Sequence, residues 1–433
     1  MLSKILNWQD PLQTAYSLAC NNGYRDDWAF LYSALSNQIN NSYSYLAAFP
    51  KKQITANNFE EFEQQLKNNK SDDYWFGYLA YDLKNILEKL PYDEKFLINL
   101  PDLWMINFNL ILIFDHKKQK IKCLYSNDHF LKNIPKPLKT SGLKTSFTLD
   151  KIKSNFTKDS YLKKLQSIKQ KIAAGDIYQA NLTRKFYSHF IKKPENDFEL
   201  FIKLNKISPA NYSAFLKIGN SSVISSSPEL FVKIDSKGQM LCSPIKGTAP
   251  RFGDLAADKS SKAALKNSAK ERAENLMIVD LIRNDFSKSC KTGSVKTKNL
   301  FKVNSYKTVH HMSSDIYGVK DDKISTIQAI KNCFPAGSMT GAPKIRAMQI
   351  CSNMETVKRG IYSGAIGFFK GNNVCNLSVV IRTLIIQEST IEFQVGGAIT
   401  FDSDPESEWL ETINKAKGIA GALKIKISDL KKL

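Results

Sequence analysis

Apolar residues fall in short blocks along the chain, and the spacing inside each block changes from segment to segment. Leu110–Phe114 and Ile121–Tyr125 are compact apolar runs without helical spacing, and they predict strands. Lys158 to about Ala174 carries a helical period that Gly175 stops. A longer helical period runs from about Asp258 to Ile282. Strands are predicted at Ser213–Ile218, Ser222–Ser226, Phe231–Ile234, Ala365–Phe369, Leu377–Ile386 and Ile391–Val395. A last helix begins near Pro405 and passes Ala420. Several strands follow one another through short turns, as between Ile386 and Ile391. That predicts an α/β protein with mostly antiparallel pairing rather than a doubly wound parallel sheet. The segment 132–150 is rich in Pro, Lys, Ser and Thr, lacks a period and reads as a linker. Two regions follow from it, 1–140 and 150–433.

Composition narrows this picture. With 433 residues and 42% hydrophobic positions, the chain can bury a large core, which excludes disorder as its main state. The most apolar stretch, Leu103–Phe114, is interrupted by Asn107 and Asn109. Nothing approaches the roughly 20 apolar residues of a membrane helix. The N-terminus, MLSKILNWQDPLQTAY, has no apolar core of a secretory signal. Seven scattered cysteines without a CxxC argue against a disulfide framework or a zinc ribbon. The expectation is a soluble protein of the cytoplasm, with no membrane partner.

The net charge of +21 permits a nucleic acid, an anionic surface or an acidic small substrate. Basic residues occur as singles and doublets, such as Lys51-Lys52 and Lys163-Lys164, and never as a run of three. A nucleic-acid footprint is clustered, so no nucleic-acid partner is expected.

Five segments carry chemistry. In Ser243-Pro-Ile-Lys246-Gly-Thr248, Lys246 sits between a strand end and a Gly-Thr turn, and Gly247 lets another group approach the backbone closely. A desolvated lysine there is a usable nucleophile or base, whereas a solvated one is a plain turn residue. In Ser225-Ser-Ser-Pro-Glu229, a carboxylate ends a Ser-rich strand. Buried, it suits general acid/base work; solvated, it is a turn glutamate. Helical spacing puts Glu274 on one face with Met277, Ile278 and Leu281, a costly place for a carboxylate without a cation or a salt bridge. Phe334–Lys344 leads Gly-rich backbone into a helix start, a weak anion-site signal. In the last helix, Glu408, Glu411 and Lys415 fall within about 60° of one another, beside a stripe of Trp409, Ile413, Ala416 and Ala420. Such carboxylates can hold a divalent ion, or Glu411 can simply pair with Lys415. Together these residues point to a Mg²⁺-dependent enzyme acting on a small anionic substrate.

The same segments are similar to those of the chorismate-utilising enzymes. GDIYQANLTRKF (Gly175–Phe186), SSSPELF (Ser225–Phe231), PIKGTAPR (Pro244–Arg251), AENLMIVDLIRND (Ala273–Asp285), FPAGSMTGAPKIRAMQI (Phe334–Ile350), RGIYSGAIGFF (Arg359–Phe369) and VGGAITFDSDPESEWLETINKA (Val395–Ala416) occur in that family's order. The resemblance implies a sandwich of two mostly antiparallel sheets with outer helices. It implies Mg²⁺ as cofactor, held by Glu274 and Glu411 with Glu408 close by. It implies substrate contacts at Ser338, Tyr362, Arg382, Gly396 and Lys415, and His311 near the leaving hydroxyl. The family's N-terminal region often carries a tryptophan pocket, which here falls on Ser33, Asn40, Asn41, Ser42, Tyr43, Asn211, Tyr212 and Ser213.

Within the family, PIKGT resembles the branch that makes 4-amino-4-deoxychorismate for 4-aminobenzoate and folate. The alternative, the anthranilate branch, looks like PIAGT at these positions. In the lysine-bearing branch that side chain adds to C2 of chorismate while a glutamate moves protons, roles that fall here on Lys246 and Glu229. No Cys-Gly nucleophile elbow with a downstream His-x-Glu is present, so ammonia is expected from solution or from a separate glutaminase subunit.

Overall fold

The computed structural model describes residues 1–21, 26–35, 42–91, 97–306 and 309–433. All strand pairings among them are antiparallel, as the short turns predict. One sheet runs from Gln179–Lys192 through Thr390–Ile399, Thr383–Gln387, Ser221–Ser227, Tyr212–Ile218, Trp28–Tyr32 and Tyr43–Ala56 to Leu103–Asp115. The other runs from Tyr74–Leu79 through Ala365–Lys370, Val374–Val379, Leu230–Ile234 and Gln239–Ser243 to Val309–Val319. Val309–Val319 also carries Ile245–Pro250 and Lys296–Ser305.

The long strand Leu103–Asp115 belongs to both sheets. Its first half pairs with Tyr74–Leu79 and its second half with Lys120–Tyr125. Its other neighbour, Tyr43–Ala56, shifts register between Pro50 and Lys52, where Pro50 lacks a ladder donor. Strands from residues 1–140 pair with strands after 150, Trp28–Tyr32 with Tyr212–Ile218 and Tyr74–Leu79 with Ala365–Lys370.

The helix Lys158–Ala173 ends before Gly175, whose φ of +80° only glycine adopts without strain. The long helix expected from Asp258 to Ile282 is two helices, Leu255–Asn267 and Ala269–Ser287. Ser268 separates them in extended backbone, and its side chain accepts from the Glu271 N–H. Apolar spacing does not mark such a break, because both pieces pack against the strands Ile245–Pro250 and Val309–Val319. The strand expected over Leu377–Ile386 is also two, Val374–Val379 and Thr383–Gln387. Arg382 lies in the break with φ +51°, a sparsely populated backbone state for a non-glycine residue. The last helix, Pro405–Ala422, is capped by Asp404 and buries Trp409, Ile413, Ala416 and Ala420. It packs on Thr390–Ile399, while Ala269–Ser287 packs on Ile245–Pro250 and Val309–Val319. No helix among the described residues is long and apolar enough to cross a membrane.

Candidate active site

Lys246 stands on the strand Ile245–Pro250, partly buried. Its amine donates to the Ser338 carbonyl at 3.4 Å. Burial pushes its pKa below the ordinary lysine value, and Lys415 adds to that. Glu274, Glu229 and Glu411 pull the other way without winning. Gly247 has φ +90°, and a Cβ there would lie 2.9 Å from Glu271 Oε2. The close approach expected of this glycine is therefore made by the helix Ala269–Ser287.

Glu229 follows the fully buried strand Ser221–Ser227 and is itself 5% exposed. Burial raises its carboxyl above the ordinary range. The Ser338 hydroxyl, the Lys246 charge and the Ile245 N–H oppose that rise only in part. Ser338, in the turn Gly337–Met339, thus meets both groups, Lys246 through its carbonyl and Glu229 through its hydroxyl.

His311 pairs with Thr248 across neighbouring strands, and Thr248 Oγ1 lies 2.9 Å from its Nδ1. Arg382 Nη2 lies 3.4 Å from its Nε2. Burial, followed by the Arg382 charge, lowers His311 to about 3. The ring is neutral at physiological pH. Burial lowers the Arg382 pKa also, against the pull of Glu229 and Tyr306. Tyr362 is buried, and its phenol is pushed well up by burial.

Glu274 is partly buried and Glu408 is 3% exposed. Burial raises both carboxyls, and the Glu411 charge adds to each. Burial acts to raise Glu411 as well, but the Lys415 ammonium, bound at 2.5 Å, holds it below the ordinary range. Lys415 also donates to the Gly396 carbonyl at 2.8 Å. A Cβ at Gly396 would lie 2.7 Å from the Leu182 carbonyl, so this strand position tolerates no side chain.

Among the described residues no three His, Cys, Asp or Glu side chains already converge on one metal position. The donor set nevertheless fits a hard divalent cation. Glu408 takes the Ser403 hydroxyl on Oε1 at 2.7 Å, while its buried Oε2 has no partner. The Glu411 charge raises the carboxyls of both Glu274 and Glu408, so negative charge gathers here and only nearby lysines offset it. Mg²⁺ takes one or two protein carboxylates and completes its shell from substrate and water.

Glu229, Glu274, Glu411 and Lys415 are within electrostatic reach of Lys246, and Ser338 and Gly396 are bonded to members of the group. Glu271 joins them, raised by burial and by Glu274. Sequence reasoning passed over Glu271, although it lies three residues before Glu274 and so on the same helical side. Thr248 and Asn181 were passed over too; no periodicity marks them.

Of the residues expected around a tryptophan pocket, Tyr43, Tyr212 and Ser213 line one small cavity with Tyr45, Phe368 and Asn376. Ser33, Ser42 and Asn211 do not line it. The Ser33 N–H bonds Ser44 Oγ at 3.0 Å, and Asn211 hydrogen-bonds Tyr306. Asn40 and Asn41 lie outside the described residues.

Comparison with known proteins gives a consistent picture. A family model described as chorismate binding enzyme matches residues 20–421. Aminodeoxychorismate synthase component 1 of Escherichia coli (strain K12) is 35% identical over 344 residues, 79% of this chain and 75% of the relative. Anthranilate synthase component 1 of Aquifex aeolicus (strain VF5) is 33% identical over 368 residues, 81% and 74%. The crystal structure of anthranilate synthase component I from Streptococcus pneumoniae TIGR4 superposes with a TM-score of 0.77 at 28% identity, covering 88% of this chain and 92% of that one.

Proposed function

The chain belongs to the family of chorismate binding enzymes, and on that premise we propose that it is the chorismate-aminating component of an aminodeoxychorismate synthase. The observation that carries the reading is Lys246, an amine depressed by burial and held beside the raised carboxyl of Glu229. The 35% identity to aminodeoxychorismate synthase component 1 supports it. We read residues 1–140 as the accessory region and 150–433 as the catalytic one. The seven cysteines, none of them paired, support a cytoplasmic setting.

The chemistry balances with two side chains. The neutral Lys246 amine forms a bond to C2, the two ring double bonds shift, and the C4 hydroxyl leaves as water with the proton of Glu229. Ammonia then bonds to C4, the double bonds shift back, and the C2–nitrogen bond breaks to release neutral Lys246. The new C4 ammonium returns a proton to Glu229, which restores both groups. Arg382 suits a bidentate grip on a substrate carboxylate. We place neutral His311, held between Thr248 and Arg382, near the leaving hydroxyl, where it aligns the Arg382 guanidinium without adding charge. Glu274 and Glu411, with Glu408, would hold Mg²⁺, which when bound would orient the ring carboxylate and offset its charge.

Ammonia comes from solution or from a separate glutaminase subunit. A tryptophan pocket is proposed at the small cavity lined by Tyr43, Tyr212 and Ser213. The deciding experiment is incubation with chorismate, Mg²⁺ and ammonium salt at alkaline pH, with identification of the product. A 4-amino product supports the reading. Anthranilate, or no amination, overturns it.

A further inference from the structure

Both groups that carry the proposed chemistry meet Ser338, so whatever fixes Ser338 fixes their relative placement. The turn Gly337–Met339 is only three residues long. One of its anchors to the rest of the protein is Asn181, on the strand Gln179–Lys192. The Asn181 side-chain amide donates to the Ser338 carbonyl at 2.7 Å, and its backbone N–H donates to the Thr340 carbonyl at 2.9 Å. Asn181 is 5% exposed. It is held in turn through its own carbonyl, which accepts from Arg359 Nη2 at 2.7 Å. Arg359 also donates to the Met339 carbonyl at 2.9 Å and forms two bonds with Glu355, at 2.9 and 2.7 Å. A paired guanidinium of this kind is rigid, and its planar fork leaves little freedom to the groups it binds.

We propose that Asn181 is a positioning residue: its side-chain amide fixes the Ser338 carbonyl that holds the Lys246 amine, and so sets the direction from which that amine meets the substrate. The Ser338 carbonyl has two lone pairs, one filled by Asn181 at 2.7 Å and the other by Lys246 at the longer 3.4 Å. The short bond fixes the carbonyl. The long one leaves the amine free to move along that axis toward carbon. Without the amide, the turn keeps the Thr340 and Met339 anchors but Ser338 can rotate. Misplacement of a reacting atom by about 1 Å can cost on the order of a hundredfold in rate.

The inference rests on the reading of Lys246 as nucleophile. Its test is the single-turnover formation of the Lys246–substrate adduct without ammonia, followed by mass spectrometry of the tryptic peptide, alongside KM for chorismate. In Asn181→Ala, adduct formation should slow by about ten- to a hundredfold while KM changes by less than about threefold. Asn181→Asp, which keeps the size but has no donor when ionised, should behave alike and serves if the alanine variant does not fold. A fall in adduct formation matched by an equal rise in KM, or no fall in either variant, overturns the inference. A wild-type protein that forms neither adduct nor 4-amino product overturns the functional reading instead, so the two failures are distinguishable.

Discussion

Arg382 directs one guanidinium nitrogen at Nε2 of His311, 3.4 Å away. A guanidinium has only donors, so Nε2 must accept. The proton of the neutral ring then sits on Nδ1 and is donated to Thr248 Oγ1 at 2.9 Å. The pair puts a fixed positive charge against a ring that cannot share it, and burial completes the exclusion of a second ring proton.

His311 should therefore stay neutral throughout the working pH range. In an NMR titration, the resonance lost in His311→Gln should not move between pH 8 and pH 5. The linkage has a definite sign. The folded value is about 3, below the unfolded value of about 6.5, so the unfolded chain binds the extra proton first. Stability should fall as pH drops from about 6.5 toward 3, and His311→Gln should flatten that part of the Tm–pH curve. A ring that titrates near 6.5 in the folded protein would contradict the tautomer.

Lys246→Ala should lower formation of the 4-amino product by about a hundredfold or more, the scale for losing a catalytic group. The site would keep its carboxylates and Arg382, so chorismate should still bind, and some product aminated at C2 is expected. Chromatography of the products with mass detection decides. Undiminished 4-amino product from the variant would remove Lys246 from the mechanism.

Glu411→Gln should lose most turnover while melting within a few degrees of wild type, because Glu411 faces the site and is only partly buried. Neutralising it frees Lys415 from its 2.5 Å partner, so the variant should need more Mg²⁺ for half-maximal rate. A chelator should abolish wild-type turnover. Full rate in EDTA would refute a metal at these carboxylates.

Ser268→Ala should remove the side-chain cap between the helices Leu255–Asn267 and Ala269–Ser287 at a cost of about 1 kcal/mol. Because Ser268 caps the Glu271 N–H, the first turn carrying Glu271 should loosen as well. Ser268→Asn, which can cap, should restore most of the loss. Thermal melts of the three proteins compare directly, and equal midpoints for Ser268→Ala and wild type would rule out a stabilising cap.

Local rules made much of this protein legible in its amino-acid order. Gly175 stops a helix wherever it occurs, Asp404 and Pro405 start one, and short turns between apolar runs enforce antiparallel pairing. The side of the last helix that holds Glu408, Glu411 and Lys415 follows from 100° per residue, and the structure keeps it beside the buried Trp409 stripe. What only the tertiary structure decided is how distant segments meet. The breaks at Ser268 and Arg382 are invisible to periodicity, because apolar spacing continues across a residue whose backbone has left the helix or strand. The direction of each pKa shift depends on burial and on charges tens to hundreds of residues away, as Lys246 depends on Glu411. Asn181 and Ser338 are 157 positions apart and share one hydrogen bond. Its existence follows from the packing of two sheets and their helices, since no local preference of either residue requires it.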